Sequence, residues 1–512
     1  MEPIHKNRNI IHLLIITIIA LFLRLFMLGN QSLWLDEAFV YSQIKTDSIS
    51  EVYSNVMANE GHIGPLYHIL NNLFCRLFGY SEWSFRMPSA IYGTIAVILV
   101  YIIARALKGN ITALFSAVLM AFSPVHVWYS QEARMYSLWI MFILFAVFIF
   151  IKILKGKRQR LWILFTIFAS LSIWTFLNSV FVFAALGLYL VIFIRRYKKE
   201  FCYYTLSVLV ALACYYPGIA AILAQGPTTV VRSSRTTTIF DLMYSFYVFN
   251  VGTTFGPSLV TLRALLKQFG AINTFWKIFS EYGVLIIPSM LLYGGFFLYS
   301  IYRAVLKRKD ENFFILIMLF FPIISVFGIT FLSSRMPFNI RYILCALPFY
   351  IILISIALNE LSKRWRLVLF SGMIIFSVLS LFNHYFIDKY SKLDFRTVVK
   401  YLNETMTEDD DALIIHEHAP WILLYYDKTD KLRQYYIPPT DSYEIASSIV
   451  NRSRRIFYVK SIRTQIYNQE ELNKIDDMLV KNVDLVKSVN PALYFEVKIY
   501  KRRKDDSIGS TL

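Results

Sequence analysis

Two adjacent carboxylates, Asp36 and Glu37, follow the apolar and aromatic run Leu33-Trp34-Leu35. A carboxylate that is partly withdrawn from water has a raised pKa and can accept a proton from an attacking hydroxyl or amine. The same pair could instead cap a short helix, because acidic side chains stabilise helix N-termini. The sequence leaves both roles open. We take Asp36, Glu37 and a third carboxylate, Glu132, as the catalytic candidates.

Histidines and arginines that could bind an anion form a second group. His62 and His68 stand close together, and Arg86 opens a long apolar segment. Glu132 and Arg134 stand between two further apolar segments, among aromatic residues. Each has a structural alternative. The histidines could be core residues, and Arg86 could reach from a helix end to the membrane surface. Glu132 and Arg134 could form a surface ion pair. Polar side chains at membrane depth are often functional, so we favour a site role for Glu132 and Arg134.

The composition indicates what kind of protein must position these residues. Hydrophobic residues make up 57% of the 512 residues and charged residues 17%, against about 45–50% and about 25% in soluble domains. A soluble globular enzyme, a disordered regulator and a coiled coil are excluded. The net charge of +18 comes from short basic clusters between apolar runs, which is typical of cytoplasmic membrane loops and not of a nucleic-acid surface. The four cysteines have no CxxC spacing, so neither a zinc site nor a disulfide framework is predicted.

About eleven segments are long and apolar enough to span a bilayer, which takes about 17–25 residues. They lie at 10–28, 86–104, 111–127, 136–154, 161–177, 179–194, 203–223, 283–302, 312–332, 342–358 and 367–386. With the N-terminus in the cytoplasm, five alternate loops carry the Lys and Arg clusters, as the positive-inside rule requires. The predicted fold class is therefore a polytopic α-helical membrane protein with about 11 transmembrane helices, located in the cell membrane.

This topology places two long loops, 29–85 and 224–282, and the tail outside the cytoplasm. The tail contains short apolar runs typical of strands: 412–415, 455–459, 483–489 and 493–500. We therefore divide the chain into a transmembrane domain at 1–388 and a small extracytoplasmic α/β domain at 389–512. The loop 224–282 carries Arg232, Arg235 and Arg263 among small polar residues. We expect it to act as a mobile cover, because long loops are usually functional or disordered.

Several motifs resemble those of the membrane glycosyltransferases of the C superfamily (GT-C), in the branch of the protein O-mannosyltransferases and lipid A aminoarabinose transferases. They are Leu33-Trp34-Leu35-Asp36-Glu37-Ala38, Pro65-Leu66-Tyr67-His68, Arg86-Met87-Pro88-Ser89-Ala90, Tyr129-Ser130-Gln131-Glu132-Ala133-Arg134-Met135-Tyr136 and, more weakly, Arg341-Tyr342. The similarity is strongest over residues 20–140. Where relatives commonly have His-Pro-Pro-Leu-Tyr, this chain has Gly64 in place of one proline.

The resemblance implies a polyprenyl-phosphate sugar donor and an inverting transfer to a lipid, glycan or protein acceptor on the outer face of the membrane. The phosphate leaves as an anion, so the reaction needs a base and positive charge but no general acid. Asp36 is the predicted base, while Glu37 and Glu132 would bind sugar hydroxyls or hold arginines in place. The residues predicted to bind the donor and its phosphate are Arg86, Arg134, Arg341, Tyr342, His62 and His68. No cofactor and no nucleic acid is predicted, and a divalent metal ion is the alternative.

A transporter or flippase of a lipid-linked sugar is the competing interpretation. Transporters often contain paired repeats or broken helices in matching positions. This sequence has no such symmetry, and its polar residues are concentrated in one outer cluster near the N-terminus. Both features favour an enzyme, whereas a flippase would move the lipid without forming a glycosidic bond.

The predicted topology can be checked with reporter fusions. A phosphatase that is active only outside the cytoplasm should be active when fused after Leu512 and silent when fused after Lys157, because the tail and the second basic loop are expected on opposite sides. The reverse pattern would mean that the predicted number of spans is wrong by one.

Overall fold

The computed structural model of the chain divides into two compact units. The helical unit comprises Met1–Leu28 and Thr46–Ile387, and the sheet unit comprises Gly29–Lys45 and Asp388–Leu512. The structure describes residues 2–60, 62–156, 158–225, 237–257, 259–307, 309–333, 338–406, 411–415, 419–428, 432, 447–448, 450, 453–461 and 469–502. Residues 29–45, which the sequence analysis assigned to the transmembrane domain, are thus grouped with the tail.

The helices of both units are numbered here in chain order. They are α1 (Glu2–Leu25), α2 (Leu35–Ile44), α3 (Ile49–Asn59), α4 (Leu66–Phe78), α5 (Glu82–Lys108), α6 (Asn110–Phe122), α7 (Pro124–Ser130), α8 (Tyr136–Gly156), α9 (Leu161–Thr175), α10 (Ser179–Ile192), α11 (Ile194–Cys214), α12 (Tyr216–Gln225), α13 (Ile239–Val251), α14 (Leu259–Ser289), α15 (Phe296–Lys307), α16 (Asp310–Leu332), α17 (Leu347–Glu360), α18 (Lys363–Phe386), α19 (Phe395–Thr405), α20 (Ala419–Tyr426) and α21 (Gln469–Asn482). A π-helical turn, Met290–Gly295, joins α14 to α15, and 3-10 helices occupy Ile340–Ala346 and Asp388–Tyr390.

The chain is a multi-pass membrane protein. Within the described residues, 6 helical stretches are long and apolar enough to cross a membrane, or up to 8 if each of two bent helix pairs forms one span. The 6 are Glu82–Lys108, Tyr136–Gly156, Ile272–Lys307, Asp310–Leu332, Ile340–Glu360 and Lys363–Phe386, and the bent pairs are α6 with α7 and α11 with α12. Three further predicted spans correspond to the shorter apolar helices Asn9–Leu25, Leu161–Thr175 and Ser179–Ile192. The total of eleven therefore stays a prediction.

The predicted loop 224–282 contains helices. α13 and the first part of α14 lie within it, with a break at Gly270, where the φ of 70° is in the left-handed region that glycine adopts without strain. α13 has only 13 residues, which is too short to span a bilayer, and the apolar pattern was therefore not recognised as a helix. Of the three arginines on which the expectation of a mobile cover was based, Arg232 and Arg235 lie outside the described residues.

Burial distinguishes two kinds of helix in the helical unit. α8 and the stretch Ile340–Glu360 are mostly buried inside the unit, whereas α18 and the stretch Ile272–Lys307 expose most of their apolar surface. An exposed apolar surface of this extent needs an apolar partner, and a bilayer supplies one.

The sheet unit contains four strands, β1 (Asp411–Ile415), β2 (Arg455–Ser461), β3 (Val483–Val489) and β4 (Phe495–Arg502). Their order is β1-β2-β4-β3; β1 and β2 are parallel, and β4 is antiparallel to both of its neighbours. Alternate side chains point to opposite faces of a strand. Leu413 and Phe457 accordingly pack with α19 and α20, while Ile414 and Ile456 pack with α21. Each apolar run predicted in the tail overlaps one of these strands.

A buried arginine stabilises the 58° bend between α6 and α7. Arg24 of α1 is 0% exposed and donates to the carbonyl oxygens of Met120 and Ala121, each at 3.3 Å. These carbonyls belong to the last turn of α6 and have no partner within that helix. Arg24 also donates to Nδ1 of His126 at 2.7 Å, and because arginine can only donate, the His126 ring is neutral. The bend precedes the chain segment that carries Arg134.

The loop between α3 and α4 is fixed to the junction of α9 and α10 by main-chain hydrogen bonds. The His62 oxygen accepts from Leu177 at 3.2 Å, and the Gly64 nitrogen donates to Thr175 at 3.3 Å. A Cβ atom at residue 64 would lie 1.7 Å from the carbonyl oxygen of Trp174. Glycine at this position is therefore required for the two backbones to approach each other.

Gly64→Ala should destabilise the protein, because a methyl group would push these two backbone segments apart. Overpacking of this kind typically costs about 1–3 kcal/mol or more, which should lower the thermal unfolding midpoint in detergent. Gly328→Ala is the control, since no atom lies within 4 Å of a Cβ built there, and its midpoint should be unchanged or slightly higher. Equal midpoints for the two variants would contradict the close approach.

Candidate active site

Glu60, at the C-terminal end of α3, pairs with one residue that was predicted to bind phosphate and lies close to another. Its Oε1 lies 3.2 Å from Nη2 of Arg134, and its Oε2 lies 3.9 Å from Nε2 of His68. The side chains are 12%, 5% and 0% exposed, respectively. Burial raises the pKa of the Glu60 carboxyl, but Arg134 and two neighbouring histidines outweigh burial and lower it below its usual value. The carboxylate is therefore ionised at neutral pH and holds the Arg134 guanidinium.

His68 is neutral in this arrangement. The pKa of its imidazole is lowered to about 4, mainly by burial and also by the charge of Arg134, while Glu60 acts in the opposite direction. The ring therefore contributes packing, against Tyr67 with ring centroids 5.9 Å apart, and no charge near pH 7.

Arg341 and Tyr342 enter the same region from the short 3-10 helix that precedes α17. The Arg341 guanidinium lies 5.4 Å from the centroid of the Tyr342 ring, within the range of a cation–π interaction. His62 is exposed. The charged groups of Glu60, Arg134 and Arg341 all interact electrostatically with its imidazole. His62, His68 and Arg134 therefore lie near Glu60, whereas Arg341, with Tyr342 beside it, lies near His62.

Glu132 lies in the same buried segment as Arg134, just after α7. It is 1% exposed, and its main-chain oxygen accepts from the Arg134 nitrogen at 2.8 Å. The main-chain oxygen of Arg134 in turn accepts from Ser89 at 3.3 Å, and Ser89 bonds to the Tyr67 hydroxyl at 3.0 Å. These bonds fix the backbone that positions both charged side chains.

Arg86 and Glu37, two further candidates, contact main-chain groups and a lysine of the protein itself. Arg86 is buried in α5 and donates from Nη1 to the Leu28 oxygen at 3.0 Å, just beyond the end of α1. Glu37 is 0% exposed; its Oε2 accepts from the Trp34 nitrogen at 3.3 Å and pairs with Nζ of Lys392 at 2.9 Å. The capping role that the sequence left open is thus carried by Glu37.

Asp36 has a different environment from its neighbour. It lies in the first turn of α2, where the helix dipole favours a negative charge, and it is partly exposed. Because Glu37 already closes this turn, the helix does not depend on Asp36 for a cap. Asp36 belongs to the sheet unit, whereas the residues around Glu60 belong to the helical unit.

The main residue that sequence reasoning missed is Glu60. It stands two residues before His62, and an acidic side chain beside several cationic candidates was the available signal for an arginine partner. Within the parts of the chain that the structure describes, no group of three or more His, Cys, Asp or Glu side chains is placed to hold a metal ion.

The burial of neutral His68 predicts an acid-dependent loss of stability. An unfolded histidine binds a proton near pH 6.5, but His68 does so only near pH 4, so the unfolded state binds more protons between these values. Stability should therefore be full above pH 6.5 and fall by up to about 3 kcal/mol towards pH 4. His68→Gln should remove this part of the pH dependence of the thermal unfolding midpoint. Parallel profiles for the two proteins would contradict the prediction.

Comparisons with known proteins agree with the resemblance noted in the sequence. Residues 62–220 match the family described as dolichyl-phosphate-mannose-protein mannosyltransferase. YkcB of Bacillus subtilis (strain 168), described as a candidate mannosyltransferase, is 22% identical over 260 residues, which are 48% of this chain and 35% of that protein. The matched region thus spans about a third of the curated relative.

Solved structures match over nearly the whole chain. ArnT from Cupriavidus metallidurans matches in its apo state with a TM-score of 0.59 and 14% identity, over 97% of this chain and 98% of that one. The same protein bound to undecaprenyl phosphate matches with a TM-score of 0.57 and 13% identity, over 95% and 97%. The oligosaccharyltransferase AglB from Archaeoglobus fulgidus, in complex with an inhibitory peptide and a dolichol-phosphate, matches with a TM-score of 0.50 and 12% identity, over 90% and 70%. The chain therefore has the fold of the GT-C membrane glycosyltransferases, and its resemblance to that superfamily is confirmed.

Proposed function

We propose that the protein transfers a sugar from a polyprenyl-phosphate donor to a lipid, glycan or protein acceptor on the outer face of the membrane. The GT-C fold supports the reaction class, and the undecaprenyl phosphate bound by ArnT and the dolichol-phosphate in the AglB complex support the donor class. The peptide in the AglB complex supports a macromolecular acceptor.

The observation that carries this proposal is the pair of arginines near His62. Arg134 is buried and pairs with the ionised Glu60 carboxylate. Arg134 and Arg341 both interact electrostatically with the exposed imidazole of His62. Guanidinium groups match the oxygens of a phosphate, and groups held in place need little reorganisation when charge develops. We assign Arg134 and Arg341 to the donor phosphate, with Tyr342 and His62 beside it. Glu60 keeps Arg134 oriented.

Asp36 is assigned as the base. In the proposed step the acceptor hydroxyl oxygen attacks the anomeric carbon while the bond from that carbon to the phosphate oxygen breaks, which inverts the configuration. The hydroxyl proton passes to the Asp36 carboxylate, and the polyprenyl phosphate leaves as an anion that arginine side chains stabilise. The balance of atoms and charge requires neither a general acid nor a cofactor, so we propose that the reaction uses neither.

The transfer is tested with purified protein in proteoliposomes. Undecaprenyl phosphate carrying a labelled sugar, with mannose first in the panel, is mixed with a membrane extract from cells that lack the protein. We expect the label to become covalently attached to an acceptor while free undecaprenyl phosphate accumulates. A flippase would instead move the labelled donor across the bilayer intact. Intact donor on both faces and no attached label with any sugar would overturn the proposal.

Asp36→Asn tests the base in the same assay. The substitution preserves shape but removes proton acceptance, so transfer should fall by about 10²–10⁴-fold while undecaprenyl phosphate still binds. Asn caps helices about as well as Asp, so the unfolding midpoint should change little. Asp47→Asn, the same substitution at an exposed position, is the control and should retain full activity. Near-normal turnover in folded Asp36→Asn protein would reject the assignment.

A further inference from the structure

Residues 29–45 are built into the sheet unit by hydrogen bonds from the tail. The Leu33 nitrogen donates to the Tyr426 hydroxyl at 2.7 Å, and Arg396 donates from Nη2 to the Gly29 oxygen at 3.2 Å. The Ser32 hydroxyl also donates to Tyr426, at 3.0 Å. The segment that leads into α2 is therefore bound by side chains almost 400 residues further along the chain.

Apolar contacts add to this attachment. Ala38 is fully buried in the core that α19, α20 and the sheet form together. The rings of Phe39 and Trp421 have centroids 4.2 Å apart, and those of Tyr41 and Tyr425 lie 4.8 Å apart. α2 therefore packs as a helix of the sheet unit, against α20.

One ion pair joins the first turn of α2 to the tail. Nζ of Lys392 lies 2.9 Å from Oε2 of Glu37, and the side chains are only 8% and 0% exposed. The same Oε2 accepts from the Trp34 nitrogen, so a single carboxylate both closes the helix turn and binds the lysine. In the sequence Asp36 lies between Trp34 and Glu37, in the turn that their hydrogen bond closes.

We infer that Lys392 is a positioning residue for Asp36 and that it acts through Glu37. The inference rests on the proposed function, in which Asp36 is the base. A base must be held close to its productive geometry, and small displacements of catalytic groups can reduce turnover greatly. The tail is then part of the catalytic apparatus of the transferase, because it fixes the orientation of the turn that carries the base.

The energetics of buried ion pairs give a sharp test. Removing one partner leaves a buried charge without compensation, whereas replacing both by neutral groups of similar size is often nearly neutral. Glu37→Gln removes the negative charge of this pair from beside Lys392 but keeps an oxygen for the Trp34 nitrogen, since Gln serves in a capping box as Glu does. Lys392→Met removes the positive charge of this pair from beside the Glu37 carboxylate. The double variant removes both charges and keeps the cap.

The three variants are compared in the full-length protein by kcat, KM and amide hydrogen exchange of the peptide that covers residues 33–44. Each single variant should lower kcat at least tenfold with little change in KM, and should speed exchange. The double variant should recover kcat to within a few-fold of the wild type and restore slow exchange. Lys400→Met, which removes a 75% exposed lysine of α19, should change neither measurement.

The outcomes separate this inference from the proposed function. A folded double variant with slow exchange but with kcat as low as in the single variants would mean that the Glu37 carboxylate acts directly in the reaction, and would overturn the positioning role. Unchanged exchange in both single variants would also overturn it. Full activity of Asp36→Asn would reject the proposed base, while the exchange data would still report whether Lys392 fixes the turn.

Discussion

The helical unit is governed by one constraint: charged and polar groups buried inside a membrane protein must find their partners within the protein, because the surrounding lipid offers none. Arg24 meets this constraint with the last carbonyls of α6 and a neutral histidine. Glu60 and Arg134 meet it with each other. The contacts of Arg24 stabilise a bend between helices, and the Glu60 pair connects α3 to the segment after α7. The buried charges therefore determine how the chain connects its helices around the candidate phosphate site.

The sequence offered candidate residues for this site but not the contacts among them. His62, His68, Arg134 and Arg341 were chosen for residue type and motif. In the structure the first three lie near Glu60, and Arg341 lies near His62. The pairing of Glu60 with Arg134 joins residues 74 positions apart, and periodicity within one helix contains no information on such a contact. Nothing in the sequence indicates that His68 is neutral, because its neutrality follows from complete burial and not from residue type.

Local patterns were misleading where close packing or short elements decided the structure. Gly64 differed from the expected proline, and its role becomes visible only when the Trp174 backbone is placed beside it. α13 is too short to be recognised as a span, so its apolar residues were assigned to a loop. The strands of the sheet unit were easier to predict, because each is a short apolar run of strand length. That residues 29–45 fold with these strands depends on contacts with the distant tail.

Glu37 and Glu60 perform the same physical task in their separate units. Each is a carboxylate at a helix end, fully buried for Glu37 and mostly buried for Glu60. Each binds a cation that comes from a distant part of the sequence: Lys392 for Glu37 and Arg134 for Glu60. A charge held in this way loses little conformational freedom when the substrate arrives, so more of the binding energy remains for the transition state. The two carboxylates nearest to the assigned base and the assigned phosphate ligand are therefore better suited to fixing those groups than to reacting. In the proposed function, a motif with two adjacent acids therefore uses only one of them, Asp36, for chemistry.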